Sequence, residues 1–417
     1  MSLNQTPMSE RVHIGIFGKR NAGKSSIMNA ITNQQIAIVS EVQGTTTDPV
    51  CKSMEMLPLG PVMLIDTPGL DDEGTLGALR IQKALEVLRK TDVALVVVDG
   101  TVGAGPEETA LEQELKKRKI PYLIIYNKCD LCKRSDPKVI KKEAIDTEDW
   151  EKKEESLWVS TVTGEGIEAL KKRIAHLIPD TAREKKLVAD LLCPMDFVVL
   201  VVPIDKAAPK GRLILPQQQT IRDILEAGAV SIVVQDTELK ETLEKLSHKP
   251  RLVITDSQVF EKAAAVTPED IWLTSFSILF ARYKGNLQQV IEGVKRLDEL
   301  RDGDRVLISE GCTHHRQCGD IGTEKLPRWI TTYMGKSLEF VFTSGTEFPK
   351  DLKEYGLVVH CGGCMLNEKE MQYRLAEAKA QNVPMTNYGI LIAYIKGILK
   401  RSVQPFPSVA ALLEKEE

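Results

Sequence analysis

Aromatic side chains make up only 5% of the 417 residues, and six residues are histidine. Stacking platforms of the kind that read RNA are therefore scarce. No charge of one sign prevails: 55 lysines and arginines stand against 59 acidic residues, for a net charge of −4. That balance gives no global case for nucleic acid or an anionic membrane as partner. Apolar runs are short. "VALVVVDG" (93–100) is strand-sized, and nothing approaches the ~20 residues needed to span a bilayer. The opening "MSLNQTPMSE" lacks the basic start and apolar stretch of a secretory signal, so the expected compartment is the cytoplasm. Eight cysteines in so long a chain favour reduced thiols, used as ligands or as small buried residues, over a disulfide framework.

What is present is alternation. From Val12 the runs "VHIGIFG", "VMLIDTPG", "DVALVVVDG", "PYLIIYNKCD" and "SLWVSTVTG" are separated by helix-like stretches. This is the pattern of a parallel sheet covered by helices. It ends near Pro179 and a charged stretch. A second block begins at "MDFVVLVVPID", and a third at "IWLTSFSILFARY" (271–283). The expected class is α/β: a P-loop GTPase domain with a parallel sheet over 1–180, then two further α/β domains over 188–270 and 271–417. The segment "PIDKAAPKGRLILPQQQ" (203–219) reads as a surface loop or a contact between subunits.

Gly18-Lys19-Arg20-Asn21-Ala22-Gly23-Lys24-Ser25 fits G-x-x-x-x-G-K-[ST] between a strand and a helix, the context that defines a P-loop. Its glycines let backbone N–H groups, with those of Ala22, Ser25 and Ser26, face phosphate oxygens at a helix N-terminus. Lys24 would reach the β- and γ-phosphates, and the Ser25 hydroxyl would ligate Mg²⁺. "NKCD" (127–130) selects the base. The Asp130 carboxylate can accept from guanine N1 and N2, Asn127 braces the loop, and the Lys128 stem lies along the ring. Ser160 and Thr161 of "VSTVTGEG" fall near the base. In "DTPG" (66–69), Asp66 would hold the magnesium shell and the Gly69 amide would sense the γ-phosphate. Thr46 of "GTTTD" would complete the metal coordination. These motifs together specify a GTPase acting on GTP with Mg²⁺.

Leu70 stands where many GTPases carry a glutamine that orients water, so hydrolysis is expected to be slow. The motifs "GKRNAGKSS", "GTTTD" and "VSTVTGEG" resemble GTPases of tRNA modification and ribosome assembly, in which an asparagine placed like Asn21 coordinates K⁺. That resemblance implies potassium-stimulated hydrolysis. Cys129 and Cys132 form a C-x-x-C. Cys129 occupies the variable position of the guanine motif, however, so a loop role is expected rather than a metal site. Cys51 and Cys193, without ligand-like company, are expected in the core.

The carboxyl-terminal third carries "CTHHRQC" (312–318) and "HCGGC" (360–364). Cys312 and Cys361 each end a predicted strand, where ligands of parallel sheets collect. Gly362 and Gly363 permit a turn that brings Cys361 and Cys364 onto one centre, and helix-start amides after Cys364 would offset thiolate charge. His314, His315, His360 and Cys318 lie close in sequence. This chemistry suits either zinc or a 4Fe–4S cluster with one weakly held iron, and the spacing does not choose.

A GTPase followed by C-x-H (Cys312, His314) and H-C-x-x-C (His360 to Cys364) resembles the FeFe-hydrogenase maturation GTPases, the HydF family, over essentially the whole chain. The resemblance implies a dimerisation domain in the middle and a 4Fe–4S cluster on Cys312, Cys361 and Cys364. The fourth iron site would be open or hold an exchangeable ligand, with His314 and His360 the candidates. It further implies a homodimer that accepts a diiron H-cluster precursor as cargo. Two radical-SAM maturases and apo FeFe-hydrogenase would be its partners, and GTP its switch. Two other readings compete: an RNA-associated GTPase with a zinc-stiffened tail, and a thiol sensor in which Cys318 resolves Cys312.

Overall fold

The computed structural model describes residues 6–33, 49–69, 74–132, 156–178, 185–204, 213–311 and 320–414. The chain divides into two compact units, residues 1–184 and 185–417. No helix among the described residues is long and apolar enough to cross a membrane.

The first unit holds one sheet built from β1 (Val12–Phe17), β2 (Val50–Met56), β3 (Gly60–Asp66), β4 (Val93–Asp99), β5 (Tyr122–Asn127) and β6 (Ser156–Trp158). Their order is β2-β3-β1-β4-β5-β6. All pairings are parallel except that of β2 with β3. Strands buried on both faces read as continuous apolar runs, which is why all but β2 are visible in the sequence. The residues of β2 alternate between half-buried and exposed, and "VCKSMEM" contains no apolar run. Cys51 projects on its exposed side and Cys193 is exposed in a loop, so neither is the core thiol expected.

The register places the nucleotide motifs side by side. Ile16 pairs with Asp66 and Phe17 with Val96, so the phosphate loop leaves the sheet between the ends of β3 and β4. Ligands of open parallel sheets bind at this carboxyl edge.

The second unit holds two parallel four-stranded sheets. The first comprises β7 (Phe197–Val201), β8 (Val230–Val234), β9 (Leu252–Thr255) and β10 (Trp272–Ser275), in the order β10-β9-β7-β8. The other comprises β11 (Arg305–Glu310), β12 (Glu339–Ser344), β13 (Leu357–His360) and β14 (Met385–Asn387), in the order β12-β11-β13-β14. A boundary at 270/271 therefore cuts the first of these sheets, since Trp272 pairs with Leu252. The reason is packing: a single hydrophobic core runs from Leu187 to Val409 through both sheets. The approach of the elements is close. A Cβ on Gly293 would lie 2.1 Å from the Met385 carbonyl, so the helix Leu287–Lys295 can rest against β14 only with glycine there. Of the segment 203–219, the residues from Leu215 onward open a helix rather than a loop.

Candidate nucleotide and cysteine sites

The phosphate loop owes its path to three positive-φ residues, Asn21 at φ +59°, Gly18 at +149° and Gly23 at +97°. A Cβ on Gly18 would sit 2.1 Å from the Val97 carbonyl, and one on Gly23 would sit 2.1 Å from Asn127 Nδ2. Neither position can carry a side chain. The helix Lys24–Thr32 starts directly after Gly23. Lys24 is buried, and its Nζ donates to the Gly18 and Lys19 carbonyls at 3.0 and 2.7 Å. Ser25 and Ser26 are half-buried in the first helical turn, Ala22 is buried, and Asn21 is exposed.

Ser25 Oγ donates to Asp66 Oδ2 at 2.5 Å, while Asp66 Oδ1 is buried without a hydrogen-bond partner. Burial pushes the Asp66 carboxyl above its ordinary range, against the opposing pull of Ser25 and Lys24. A hydroxyl and an under-satisfied carboxylate side by side make an oxygen donor set suited to Mg²⁺. Thr67 Oγ1 donates to the Ile16 carbonyl at 2.7 Å and Gly69 is buried, which fixes the start of the "DTPG" turn. Thr46 and Leu70 lie outside the described residues.

Asn127 ties the guanine elements together. Its Nδ2 donates to the Ala22 carbonyl at 3.1 Å and its Oδ1 accepts from the Thr161 N–H at 3.4 Å. Lys128, at φ +64°, pairs with Asp99 at 2.5 Å. Burial alone would raise the Asp99 carboxyl, but Lys128 and Thr101 outweigh it and hold it below its usual range. Asp130 is exposed to solvent two residues further on. Ser160 is spent on the loop itself, its Oγ accepting from the N–H groups of Val162 and Thr163 at 3.2 and 3.1 Å. The Cys129 thiol donates to Glu165 and that of Cys132 to the Lys128 carbonyl, each at 3.6 Å, contacts internal to the guanine loops. Asp99 is the residue here that sequence motifs do not single out. Its one signal is its place at the end of β4, beside the strand that carries "NKCD".

In the second unit, Ser309 pairs with His360, which brings the carboxyl ends of β11 and β13 together as their sequence positions predict. Cys361 follows β13, its N–H donating to the Ser309 carbonyl at 3.0 Å. Its Sγ accepts from the Gly311 N–H at 3.0 Å and the Gly363 N–H at 3.4 Å. Gly363 is left-handed at φ +64°, and a Cβ there would strike Met371 Sδ at 2.7 Å. The amides facing Cys361 thus come from the loop, not from the following helix, which begins only at Glu368 under its Asn367 cap. Burial pushes the Cys361 thiol up to about 11 despite these donors.

His360 departs from expectation. Fully buried, its Nδ1 lies 2.7 Å from the Cys361 carbonyl and its Nε2 lies 2.9 Å from Arg374 Nη1. Arginine only donates, so Nε2 is the acceptor and Nδ1 carries the proton. Both ring nitrogens are engaged, and no lone pair is left for a metal. Burial, followed by the Arg374 charge, drops the imidazole to about 3. Arg374 is also fully buried, paired with Glu370 at 3.0 Å and donating to the Gly345 carbonyl at 2.9 Å. Glu310, buried at the end of β11, accepts from Tyr388 at 3.3 Å. Among the described residues no group of three or more His, Cys, Asp or Glu is arranged to hold a metal ion. Cys312, His314, His315 and Cys318 lie outside them, Cys312 being the next residue after Gly311.

Three family models match this chain: "50S ribosome-binding GTPase" over residues 13–128, "Hydrogen maturase F dimerization domain" over 187–285 and "Hydrogen maturase F tetramerization domain" over 288–405. The tRNA modification GTPase MnmE of Nitrosospira multiformis is 31% identical over 172 residues, 41% of this chain and 36% of that protein. GTPase Era of Carboxydothermus hydrogenoformans is 30% identical over 168 residues, 40% of this chain and 55% of that protein. The chain thus spans about a quarter to a half of the length of the curated relatives it matches. Among solved structures, a point variant of Aquifex aeolicus Era bound to GDP·AlF4⁻ aligns with 54% of this chain and 92% of its own, at 19% identity and a TM-score of 0.35.

Proposed function

The chain belongs to the hydrogen maturase F (HydF) family of hydrogenase maturation GTPases, and from that membership we propose that it is a GTP-switched carrier for assembling the FeFe-hydrogenase cofactor. Its resident 4Fe–4S cluster would be held by Cys312, Cys361 and Cys364. The observation that carries this reading is the treatment of Cys361 Sγ. Two backbone N–H groups point at it, one of them from the residue preceding Cys312. A buried thiol pushed up to about 11 needs neighbouring positive charge to become a thiolate, which coordination supplies. When bound, the cluster supplies an iron with an exchangeable position. His360 is committed to Arg374 and the loop carbonyl, which leaves His314 as the histidine candidate for that position. The cargo is a diiron precursor received from two radical-SAM maturases and delivered to apo FeFe-hydrogenase in the cytoplasm. Oligomerisation through residues 187–405 is in keeping with the dimerization and tetramerization domains matched there.

In the first unit, Lys24 would leave the loop carbonyls for the β- and γ-phosphates, and Ser25 would turn from Asp66 to Mg²⁺. Asp130 would accept from guanine. Asn21, exposed and left-handed in the loop, would help hold K⁺ near the phosphates. With Leu70 at the glutamine position, hydrolysis would be slow without potassium. Hydrolysis would govern the association of partners rather than the chemistry of transfer.

The test is anaerobic reconstitution with iron and sulfide, followed by metal analysis and EPR of the reduced protein. A 4Fe–4S signal lost in Cys361→Ala and Cys364→Ala is expected. One tightly held zinc and no cluster would sink the carrier reading. Phosphate release in KCl against NaCl tests the potassium role: equal rates would remove Asn21 from it.

A further inference from the structure

We propose that Lys284 is a positioning residue of the cysteine site, its ammonium both holding the Cys361–Cys364 loop in place and balancing the negative charge that collects there. Lys284 ends the helix Phe276–Lys284 and is 1% exposed. Its Nζ donates to the Cys364 carbonyl at 3.1 Å and to the Leu366 carbonyl at 2.9 Å, and lies 5.5 Å from the centre of the Phe280 ring. Both carbonyls belong to the short segment between the second cysteine and the Asn367 cap. The lysine therefore fixes the loop from outside it, 80 and 82 residues away in sequence from its two acceptors.

An ammonium taken out of water is costly, and its place in a fold has to be compensated by partners. Two carbonyls and an aromatic face lie around it. A cation at this loop also meets the charge of its occupant. Thiolates and an iron–sulfur cluster bring negative charge into a poorly solvated pocket, where Coulomb interactions are strong. The inference rests on the cluster reading above. It also assigns a part in the site to the segment matched as the dimerization domain (187–285), although the cysteines lie in the other matched region (288–405).

The experiment uses the full chain, reconstituted anaerobically, as wild type and as Lys284→Met, Lys284→Gln and Lys284→Arg. Iron per protein, the reduction midpoint by EPR-monitored titration and circular dichroism are measured on each. Removing a nearby cation disfavours the reduced, more negative state. The methionine variant should therefore lose iron and move its midpoint negative by at least tenfold in the reduction equilibrium, ~59 mV for one electron. Glutamine, a donor without charge, should restore the iron content but not the midpoint. Arginine should restore both. If the methionine variant fails to fold, the glutamine and arginine pair decides alone. A wild-type midpoint in Lys284→Gln overturns the charge role and leaves a hydrogen-bonding one. A wild-type midpoint and iron content in Lys284→Met overturns the proposal outright. Absence of a cluster in the wild type is a different result, the failure of the carrier reading itself.

Discussion

At the end of β1 the chain offers backbone amides, two unsubstitutable glycines and a lysine resting on its own loop's carbonyls. At the end of β13 it offers a glycine-hinged cysteine loop backed by polar side chains with almost no exposure: His360 and Arg374 at 0% and Lys284 at 1%. Both loops sit at the carboxyl edge of a parallel sheet, yet they are prepared differently. The phosphate loop presents donors that cost little when water occupies them, which suits a ligand that comes and goes. The cysteine loop is backed by buried ions that are expensive unless paired, which suits a group that stays. Substitutions chosen to abolish one kind of support and spare the other would sharpen this contrast.

The largest effect is expected from Arg374→Met. It leaves Glu370, at 5% exposure, without its ion-pair partner and His360 Nε2 without a donor. Removing one partner of a buried pair costs about 3–5 kcal/mol. Denaturant unfolding should show that loss in the residue 185–417 unit while GTP affinity stays at the wild-type value. A loss below about 1 kcal/mol would mean that the network is better solvated than its burial indicates.

Next comes Lys24→Ala, which removes the buried ammonium expected to reach the β- and γ-phosphates. A fall in the rate of GTP hydrolysis of about 10²–10³-fold is expected, with the melting of the second unit unchanged. Phosphate release with saturating GTP measures it. An effect under tenfold would remove Lys24 from the reaction.

The same contrast explains what can be read in advance. The nucleotide site is legible because its chemistry is contiguous. Gly18 to Ser25 and Asn127 to Asp130 are short words, and the buried strands of the sheet announce themselves as apolar runs. β2 escapes because its residues mostly alternate between half-buried and exposed and form no apolar run. The cysteine loop is legible as two glycines between two cysteines at the end of a strand, but its support is not. Arg374 sits in "NEKEMQYRLAEAKA", which reads only as helix-like, and only the Glu370–Arg374 spacing of four residues hints at a pair. Lys284 reaches the site only through tertiary packing. His360 misleads for the same reason: a histidine beside a cysteine looks like a ligand until the arginine that occupies its Nε2 is known. The division at 270/271 fails because period and composition change little between two sheets that share one core.

Asp130→Asn should act more gently. The amide would keep one acceptor but lose the charge that would strengthen the two proposed bonds to guanine, about 1.5–3 kcal/mol for hydrogen bonds to a charged group. Calorimetry should show weaker GDP binding with the Mg²⁺ dependence unaltered. Unchanged affinity would mean that the exposed Asp130 carboxylate does not reach the base.

Asp66→Asn should have the smallest effect on the free protein, and its sign is the informative part. Burial raises the Asp66 carboxyl above its ordinary value of 3.8, so the folded chain holds that proton more tightly than the unfolded chain. The stability contributed by this residue is therefore fully present below the ordinary value and is lost as pH rises through the folded one. At neutral pH the wild type carries a buried carboxylate with one orphaned oxygen, and an amide there removes the charge while still accepting from Ser25. Without nucleotide, Asp66→Asn should melt above wild type at pH 7 to 8, with the gap closing as pH falls toward 4. Adding Mg²⁺ and GDP should reverse the order, because the cation restores to the carboxylate the partner it lacks. Melting curves across that range, with and without Mg·GDP, measure both. A gap that does not vary with pH would show that the orphaned oxygen costs the fold nothing, and that the phosphate loop is no more strained when empty than when full.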